Sequence, residues 1–541
     1  MFEDLKSNGY TVANNYQDLL DYSRPTRHGC SSSLWPLQGQ HMSYEVDRLR
    51  ELGGNDTTAR EPSLPEMVDI VLSLLRKNEQ AKKHGYFVMI EGSRVDHAGH
   101  SNDPGTMAKE AIAFDETVAV VVDHVEQTPN TAMLSAADHG TGGLTLGRSG
   151  MEYPYPWYPT QLQQQNMSTE AMQERLDEIL TSDECAIGAN DHDVAKLVTE
   201  IATAVDETRD LYFVLIELGH IISAPAWIGW TTVGHVGTDV NLYCKGPMIF
   251  ERMCKGVHEN VYLNKLMTTF LGLEHQQELE TMKHPSAATH YEYKTVDVDY
   301  NFDERGISAQ CHHDDSGWHR PQIFTLARTV LDPTLETRLH IDPHLMGTVQ
   351  THSSTSYITD SASSATAYST GYKTYDSAIA VDTYEQPLGT VLEAAKARGM
   401  VTGMIVTCRV TQQLTFAATC STAIPRTISQ RSSCNKNLDF LLGGGKKHFN
   451  DSMFEDLKSN GYTVANNYQD LLTISRPTRT RVLFVSLVCS TRTTCCTRLT
   501  ACVNLLATIP RHVSQSSRDG GHVLSLLRKK TGQEARLLCD D

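Results

Sequence analysis

Short apolar runs that end in polar residues alternate with helical patterns along this sequence, and this alternation constrains the fold most. Three runs, at 85–92, 131–140 and 401–407, read as buried strands. Apolar positions at helical spacing occupy 66–76 and 107–126. Strands that alternate with helices predict an α/β fold with a largely parallel sheet, in which ligands gather at the carboxyl ends of the strands.

The composition is typical of a globular protein and argues against two classes of partner. The 541 residues are 40% hydrophobic and 21% charged, with a net charge of −18. Nucleic-acid binding needs a basic face, so we expect no nucleic-acid partner. No apolar run reaches the roughly 18 residues of a membrane span. The initial MFEDLKSNGY lacks the basic and apolar regions of a signal peptide. The 13 cysteines show no clear disulfide framework, and their odd number predicts that at least one thiol is free or pairs with another chain.

A block of 20 residues, MFEDLKSNGYTVANNYQDLL, occurs twice without a change. It fills 1–20 and 453–472, and SRPTR follows both copies. The copies then diverge, yet VLSLLRK appears at 71–77 and again at 523–529, with the offset of 452 unchanged. Two offsetting frameshifts in duplicated DNA would leave this pattern. We therefore predict that 473–541 is largely out of frame and poorly ordered; the alternative is a diverged tail with its own function.

Acidic and histidine side chains follow two of the predicted strands. Asp96 and His100 are four positions apart, so on a helical turn both face one side and can share one Zn²⁺. Glu91 ends the first strand and suits a hard ion such as Mg²⁺. Asp138 and His139 end the second strand and suit a second metal ion. Taken alone, each pair is more often a solvated helix start or a turn than a metal site.

Two further segments add candidates. His235 lies among glycines before another predicted strand, where a metal ion can approach the backbone. Ser361 is followed by small residues at helical spacing, which indicates a helix N-terminus that favours a phosphate; the alternative is a Ser/Thr-rich cap or loop. A serine hydroxyl needs a base or a metal ion to become a nucleophile. Glu217 and His220 also have metal-like spacing, but we interpret them as helix or surface residues.

Together these segments resemble the alkaline phosphatase family. The motifs that carry the resemblance are TDSASSATA, EGSRVDHAGH, AADHG, GHVGTDVNLY, GYKTYDSAIAVD, GTVLEAAKARG and FLLGGGKKHF. The resemblance covers about 39–280 and 321–472. It implies an α/β three-layer sandwich in which helices flank a large, mostly parallel central sheet. It also implies an enzyme that hydrolyses small phosphate monoesters with two Zn²⁺ and one Mg²⁺.

The resemblance implies a role for each candidate residue. The family's ligands of the first zinc match Asp96, His100 and His235. Its ligands of the second zinc match Asp138 and His139, and its magnesium ligand matches Glu91. Ser361 matches the serine that is phosphorylated. Zinc lowers the pKa of a bound hydroxyl or water, so the reaction would be two in-line displacements at phosphorus through a phosphoserine.

The motifs stand in an order that differs from the family's. Segment 1–280 resembles the C-terminal half of the family, and 321–472 resembles the N-terminal half. The polar, His-rich residues 281–320 between them read as a junction. This arrangement is a circular permutation with overlap, in which 1–472 forms one catalytic domain. A permutant can fold if its junction spans the old termini and its new ends lie in a surface loop.

Two regions depart from the family pattern. The family's first strand is apolar and ends in an Asp that bridges zinc and magnesium. Residues 307–328 lack that apolar strand, and either Asp314 or Asp315 can replace the bridging residue, with Asp315 preferred. Thr415 matches the magnesium-binding hydroxyl and Arg426 the residue that clamps phosphate; their spacing is kept, although neighbouring residues differ from the family.

Two rival functions follow from these observations. One is a related sulfatase or phosphodiesterase, against which the serine motif and the zinc-ligand positions argue. The other is a catalytically dead metal-binding protein from a rearranged gene, which the frameshift-like tail, the missing apolar first strand and the lack of a signal-peptide pattern favour. Family members often form homodimers and work in secretory, vacuolar or periplasmic spaces, so the resemblance suggests a homodimer but leaves the compartment open.

Overall fold

Two larger β-sheets, two short two-stranded sheets and the helices packed on them form most of the described part of the chain. The computed structural model describes residues 41–52, 60–148, 155–174, 211–273, 321–334, 336–410, 438–445, 451–474 and 481–486. The helices are α1 (Glu45–Leu52), α2 (Leu64–Lys77), α3 (Glu79–His84), α4 (Arg94–His100), α5 (Pro104–Gln127), α6 (Leu211–Ala226), α7 (Met248–Met253), α8 (Tyr262–Leu271), α9 (Pro321–Leu331), α10 (Ser361–Thr370), α11 (Val391–Ala397), α12 (Asp451–Ser459) and α13 (Tyr468–Thr473). The strands are β1 (Tyr86–Glu91), β2 (Met133–Ala136), β3 (Gly140–Thr141), β4 (Thr145–Leu146), β5 (Ile228–Gly229), β6 (His235–Val236), β7 (Val240–Lys245), β8 (Gly256–Glu259), β9 (Leu345–Gln350), β10 (Val401–Arg409), β11 (Phe440–Gly444), β12 (Tyr462–Ala465) and β13 (Arg481–Ser486).

The larger sheet is entirely parallel, in the order β1–β10–β11–β13–β12. Its strand β10 is buried on both faces. Ile405 packs with Met67 of α2 on one face, whereas Met404 packs with Leu392 of α11 on the other. Because both faces are covered, the strand reads as a continuous apolar run rather than as an alternating one. The predicted α/β fold, with a parallel sheet flanked by helices, is confirmed.

The second large sheet has the order β2–β7–β9–β8, and the two short sheets pair β3 with β6 and β4 with β5. Strand β7 is antiparallel to both β2 and β9, and β8 is parallel to β9. A disulfide joins Cys244 of β7 to Cys254, which follows α7. The cysteine spacing indicated no disulfide framework, because a single pair ten positions apart has no distinctive pattern among 13 cysteines.

Part of the predicted tail belongs to the parallel sheet. Residues Arg481–Ser486 form β13, which lies between β11 and β12. The second copy of the duplicated block contributes β12 and α13 to the same region. The first copy, the junction 281–320 and the remainder of the tail after Ser486 lie outside the described residues. Among the described helices, none is both long and apolar enough to cross a membrane.

Glu110 of α5 is a buried carboxyl group that makes stability depend on pH. Burial raises its pKa from 4.5 to about 8, although its Oε1 accepts a hydrogen bond from the Glu45 backbone N–H at 2.5 Å. A carboxyl group whose pKa is raised by folding makes its full contribution to the stability of the folded state below pH 4.5. That contribution is lost as the pH rises through about 8. Glu110→Gln, which stays neutral, is expected to be more stable than the parent by at least about 1 kcal/mol at pH 9.

Urea unfolding of both proteins at pH 5 and pH 9 measures this effect. The exposed residue Glu79 provides the control, because Glu79→Gln should leave the pH dependence unchanged. If the free energy of unfolding depends on pH equally in the parent and in Glu110→Gln, then the ionisation of Glu110 is not the cause of that dependence.

Candidate active site

The helix that follows β1 places the first two candidate ligands. Strand β1 ends at Glu91, and α4 begins at Arg94 after a two-residue turn. As the spacing predicted, Asp96 and His100 face the same side of this helix, with His100 Nε2 at 3.4 Å from Asp96 Oδ2. Both groups are half-buried, so an ion between them would be partly shielded from water.

His235 reaches the same place from a different element. It forms β6, which pairs with β3 so that His235 lies opposite Thr141. Its Nε2 lies 3.2 Å from His100 Nε2 and 4.0 Å from Asp96 Oδ1. The structure therefore brings together three of the residues that the sequence analysis assigned to one zinc.

Backbone carbonyl groups orient the two histidines. His100 Nδ1 lies 2.6 Å from the carbonyl oxygen of Val233, and His235 Nδ1 lies 2.8 Å from that of Thr359. A carbonyl oxygen only accepts hydrogen bonds, so each Nδ1 carries a proton, and Nε2 is the nitrogen that can bind a metal ion when the ring is neutral. A carbonyl partner at the far nitrogen is typical of histidines that bind metals.

These groups fit a divalent cation. Two imidazole lone pairs and a carboxylate oxygen converge within 4.8 Å of one another, which is unfavourable unless a positive charge lies between them. Burial alone would raise the pKa of Asp96, but its hydrogen bond with His100 and the positive charges on nearby histidines together outweigh burial and hold that pKa well below its usual range. The carboxylate is therefore ionised at neutral pH. Two nitrogen ligands and one oxygen ligand form a donor set that suits Zn²⁺.

The second group of candidates follows β2. His139 Nε2 lies 3.1 Å from Asp138 Oδ2 and 2.8 Å from Ser361 Oγ. Burial lowers the pKa of His139, but the adjacent Asp138 carboxylate more than reverses that effect and raises it. The His139 and His235 rings stack with their centroids 3.5 Å apart, so the two groups of candidates form one continuous site.

Helix α10 presents Ser361 as its first residue. Asp360 caps the helix by accepting a hydrogen bond from the Ser363 N–H at 2.9 Å. Two hydrogen bonds fix the helix to the loop after β2: Ser364 Oγ donates to the Asp138 carbonyl, and Tyr368 Oη donates to the Ala137 carbonyl. The predicted position of Ser361 at a helix N-terminus is confirmed, and the free N–H groups there favour an anion.

Glu91 lies at the end of β1 and is partly buried. Burial, with the nearby Asp138 carboxylate adding to it, raises its pKa to about 8. Burying such a carboxylate in its charged form is costly unless a cation accompanies it. A position of this kind suits the hard cation that the sequence analysis assigned to Glu91.

Thr141 is a site residue that the sequence analysis missed. Its hydroxyl donates a hydrogen bond to Asp96 Oδ1 and lies 3.4 Å from His139 Nδ1. It therefore touches one residue from each group of candidates. A threonine two positions after His139 has no metal-ligand spacing of its own, and only the pairing of β3 with β6 reveals its place.

Other candidates stand apart from this group. Glu217 and His220 are exposed on α6, as predicted for helix or surface residues. Asp315, Thr415 and Arg426 lie outside the described residues.

The sequence model of the alkaline phosphatase family matches residues 1–273 and 324–470. The chain belongs to the alkaline phosphatase family. Its relatives include the repressible alkaline phosphatase of Saccharomyces cerevisiae, which is 28% identical over 358 residues, 59% of this chain and 57% of the yeast protein. An alkaline phosphatase of Schizosaccharomyces pombe is 32% identical over 270 residues, 47% of this chain and 48% of that protein.

Solved structures of the same family are also similar in sequence. The cold-active alkaline phosphatase of a psychrophilic Shewanella species is 28% identical, with a TM-score of 0.29, over 36% of this chain and 46% of that one. The chain spans about half the length of the curated relatives it matches.

Proposed function

We propose that this chain hydrolyses phosphate monoesters through a phosphoserine at Ser361. The observation that carries the proposal is the 2.8 Å contact between Ser361 Oγ and His139 Nε2, beside the group formed by Asp96, His100 and His235. A hydroxyl at a helix N-terminus, next to a cluster of metal-type ligands, suits attack on phosphorus.

The residues around Ser361 would have separate roles in the proposed reaction. His139 holds the hydroxyl in one orientation, and the first N–H groups of α10 offer donors to the phosphate oxygens. Asp360 keeps these donors in place by capping the helix. After the ester oxygen leaves, the phosphoserine would be hydrolysed by a water that attacks from the opposite side.

We propose that two Zn²⁺ and one Mg²⁺ are the cofactors. The first zinc would be held by Asp96, His100 and His235, the second by Asp138 and His139, and the magnesium by Glu91. When bound, the metal ions supply Lewis acidity, which lowers the pKa of the attacking hydroxyl or water and stabilises the leaving oxygen. Asp315, Thr415 and Arg426 remain predictions as bridging ligand, magnesium ligand and phosphate clamp.

The permuted order and the single catalytic domain 1–472 are further parts of the proposal. In support, β1 and β2 come from segment 1–280 and α10 from segment 321–472, and these two segments together build the site. A homodimer remains a prediction.

A chromogenic phosphate monoester, with added Zn²⁺ and Mg²⁺ at alkaline pH, tests the proposal. Ser361→Ala is expected to lower kcat/KM by at least about 10³-fold, because it removes the nucleophile. The matched control is Ser369→Ala on the same helix, whose buried hydroxyl lies at the opposite end from the site. Zinc content should be the same in all three proteins.

A second candidate function is metal binding without turnover. It is favoured by the placement of β1 and β2 in separate sheets within the described residues, since Glu91 ends β1 and Asp138 and His139 follow β2. Zinc-loaded, folded protein that hydrolyses neither a phosphate monoester nor a sulfate ester or phosphate diester would establish it. Equal hydrolysis by the parent and Ser361→Ala would rule out the phosphoserine.

A further inference from the structure

Asn102 lies two positions after His100, in the short connection between α4 and α5. Its side chain is almost completely buried, with 2% exposed. Its backbone has a φ of 51°, in the left-handed region that asparagine tolerates better than most residues. Buried polar groups in proteins are hydrogen-bonded, so the partners of this amide show which parts of the chain it joins.

The partners of Asn102 also assign the two ends of its amide. One end lies 3.0 Å from the carbonyl oxygen of Gly99 and 3.1 Å from that of Thr232. Carbonyl oxygens only accept hydrogen bonds, so this end is the nitrogen, which donates to both of them. The amide oxygen accepts a hydrogen bond from His220 Nε2 at 3.2 Å. Because His220 is exposed, water can replace its ring, and the two bonds to backbone carbonyls are the ones that fix the amide.

These two carbonyl groups flank the hydrogen bond that orients His100. Gly99 precedes His100 in α4, and Thr232 precedes Val233, whose carbonyl oxygen lies 2.6 Å from His100 Nδ1. The amide therefore ties together the two segments that this hydrogen bond joins, one residue away from it on each side. His235 lies three residues after Thr232 on the same segment. One side chain thus links the helix of the first histidine to the loop that carries the second.

Helix α6 supports the connection on which Asn102 lies. The Trp230 Nε1–H, in the loop before β6, donates to Ser223 Oγ of α6 at 2.8 Å, and Ser223 Oγ lies 3.4 Å from the carbonyl oxygen of Asn102. The packing is close, since a Cβ atom at Gly219 would lie 2.3 Å from the carbonyl oxygen of Ser101. The backbone of Asn102 therefore has little room to move, and its amide is held from a rigid base.

We propose that Asn102 is a positioning residue for the first zinc: its amide holds the Val233 carbonyl group against His100 Nδ1 and thereby keeps His100 Nε2 directed at the metal ion. The inference rests on the proposed zinc site, but not on hydrolysis. Groups that orient a metal-binding histidine through its other nitrogen typically change metal affinity by about 10–100-fold when they are removed.

Zinc affinity in the full chain gives the first test. Asn102→Gly removes both donors, and glycine accepts the left-handed φ without strain. The matched control is Asn130→Gly, which makes the same change at a φ of 58° in an exposed turn after α5. Competition with a chromogenic zinc chelator measures the Kd, and the zinc lost in His100→Ala identifies the first site. Asn102→Gly is expected to bind that zinc at least about tenfold more weakly than the parent, whereas Asn130→Gly should match the parent.

The tautomer of His100 gives a second readout that a merely structural role would not change. Long-range ¹H–¹⁵N correlation spectra of the metal-free, ¹⁵N-histidine-labelled protein at alkaline pH show which ring nitrogen carries the proton. The signal that is missing in His100→Ala belongs to His100. The parent is expected to show Nδ1–H, and Asn102→Gly a mixture with Nε2–H, because the carbonyl partner is no longer held in place. A role in folding alone would lower the free energy of unfolding and leave the tautomer as it is.

The proposal requires both changes in Asn102→Gly. A zinc affinity equal to that of the parent would overturn it, and so would an unchanged His100 tautomer. Asn102→Asp keeps the size of the side chain but, when ionised, lacks both donors, so it should change the tautomer in the same way. An unchanged tautomer in this variant would overturn the proposal even if Asn102→Gly does not fold. Unchanged zinc affinity in His100→Ala would refute the zinc site itself, and this inference with it.

Discussion

His100→Ala is expected to remove about one equivalent of bound zinc and to lower kcat/KM for a phosphate monoester by at least about 10³-fold. The reason is the convergence of His100 Nε2, His235 Nε2 and Asp96 on one point, with both histidines oriented by backbone carbonyl groups. Removing one of three protein ligands leaves too few donors for a tetrahedral zinc. Metal analysis after extensive dialysis measures the stoichiometry, and the chromogenic assay measures the activity.

His220→Ala provides the matched control for this experiment. Glu217 and His220 have metal-like spacing in the sequence, but both side chains are exposed on α6. The control should therefore keep the zinc content and activity of the parent. Full zinc content in His100→Ala would mean that the three side chains do not bind the metal ion, even if activity is lost. The dialysis readout thus separates metal binding from catalysis.

Local patterns predicted the strands and helices that carry the site. The apolar run that ends in Glu91 becomes β1, and the four-residue spacing of Asp96 and His100 places both on one side of α4. The position of Ser361 at the start of α10 could also be predicted, because small residues at helical spacing follow it. These features depend on residues close together in the sequence, so they can be predicted whatever the order of the segments along the chain.

Features that depend on distant segments could not be predicted in this way. Thr141 meets Asp96 only because β3 pairs with β6, and its own sequence context is unremarkable for a metal site. The disulfide between Cys244 and Cys254 depends on the return of the chain after α7. Within the described residues, β1 pairs only with β10 and β2 only with β7, so these two strands lie in separate sheets. Strands that are predicted from the sequence do not show which strand will pair with which.

Arg94→Met is expected to lower the free energy of unfolding by about 3–5 kcal/mol. This is the cost of leaving one partner of a buried ion pair without its counter-charge. Arg94 Nη2 lies 2.5 Å from Glu170 Oε2, with the two side chains only 6% and 15% exposed. The guanidinium also lies 3.6 Å from the centre of the Tyr44 ring. Methionine keeps much of the volume but leaves the Glu170 carboxylate without its cation, so the loss is mainly electrostatic. Urea unfolding at pH 7 measures it.

Two further variants show whether the ion pair is the cause. Arg148→Met removes an exposed arginine and should change stability by less than about 0.5 kcal/mol. Arg94→Met combined with Glu170→Gln should recover part of the loss, because the uncompensated charge is gone; no recovery would point to lost packing on Tyr44 instead. Arg94 is the first residue of α4, the helix that carries Asp96 and His100. Loss of its anchor should therefore also weaken zinc binding, and recovery of zinc affinity in the double variant would link the buried ion pair to the placement of the metal ligands.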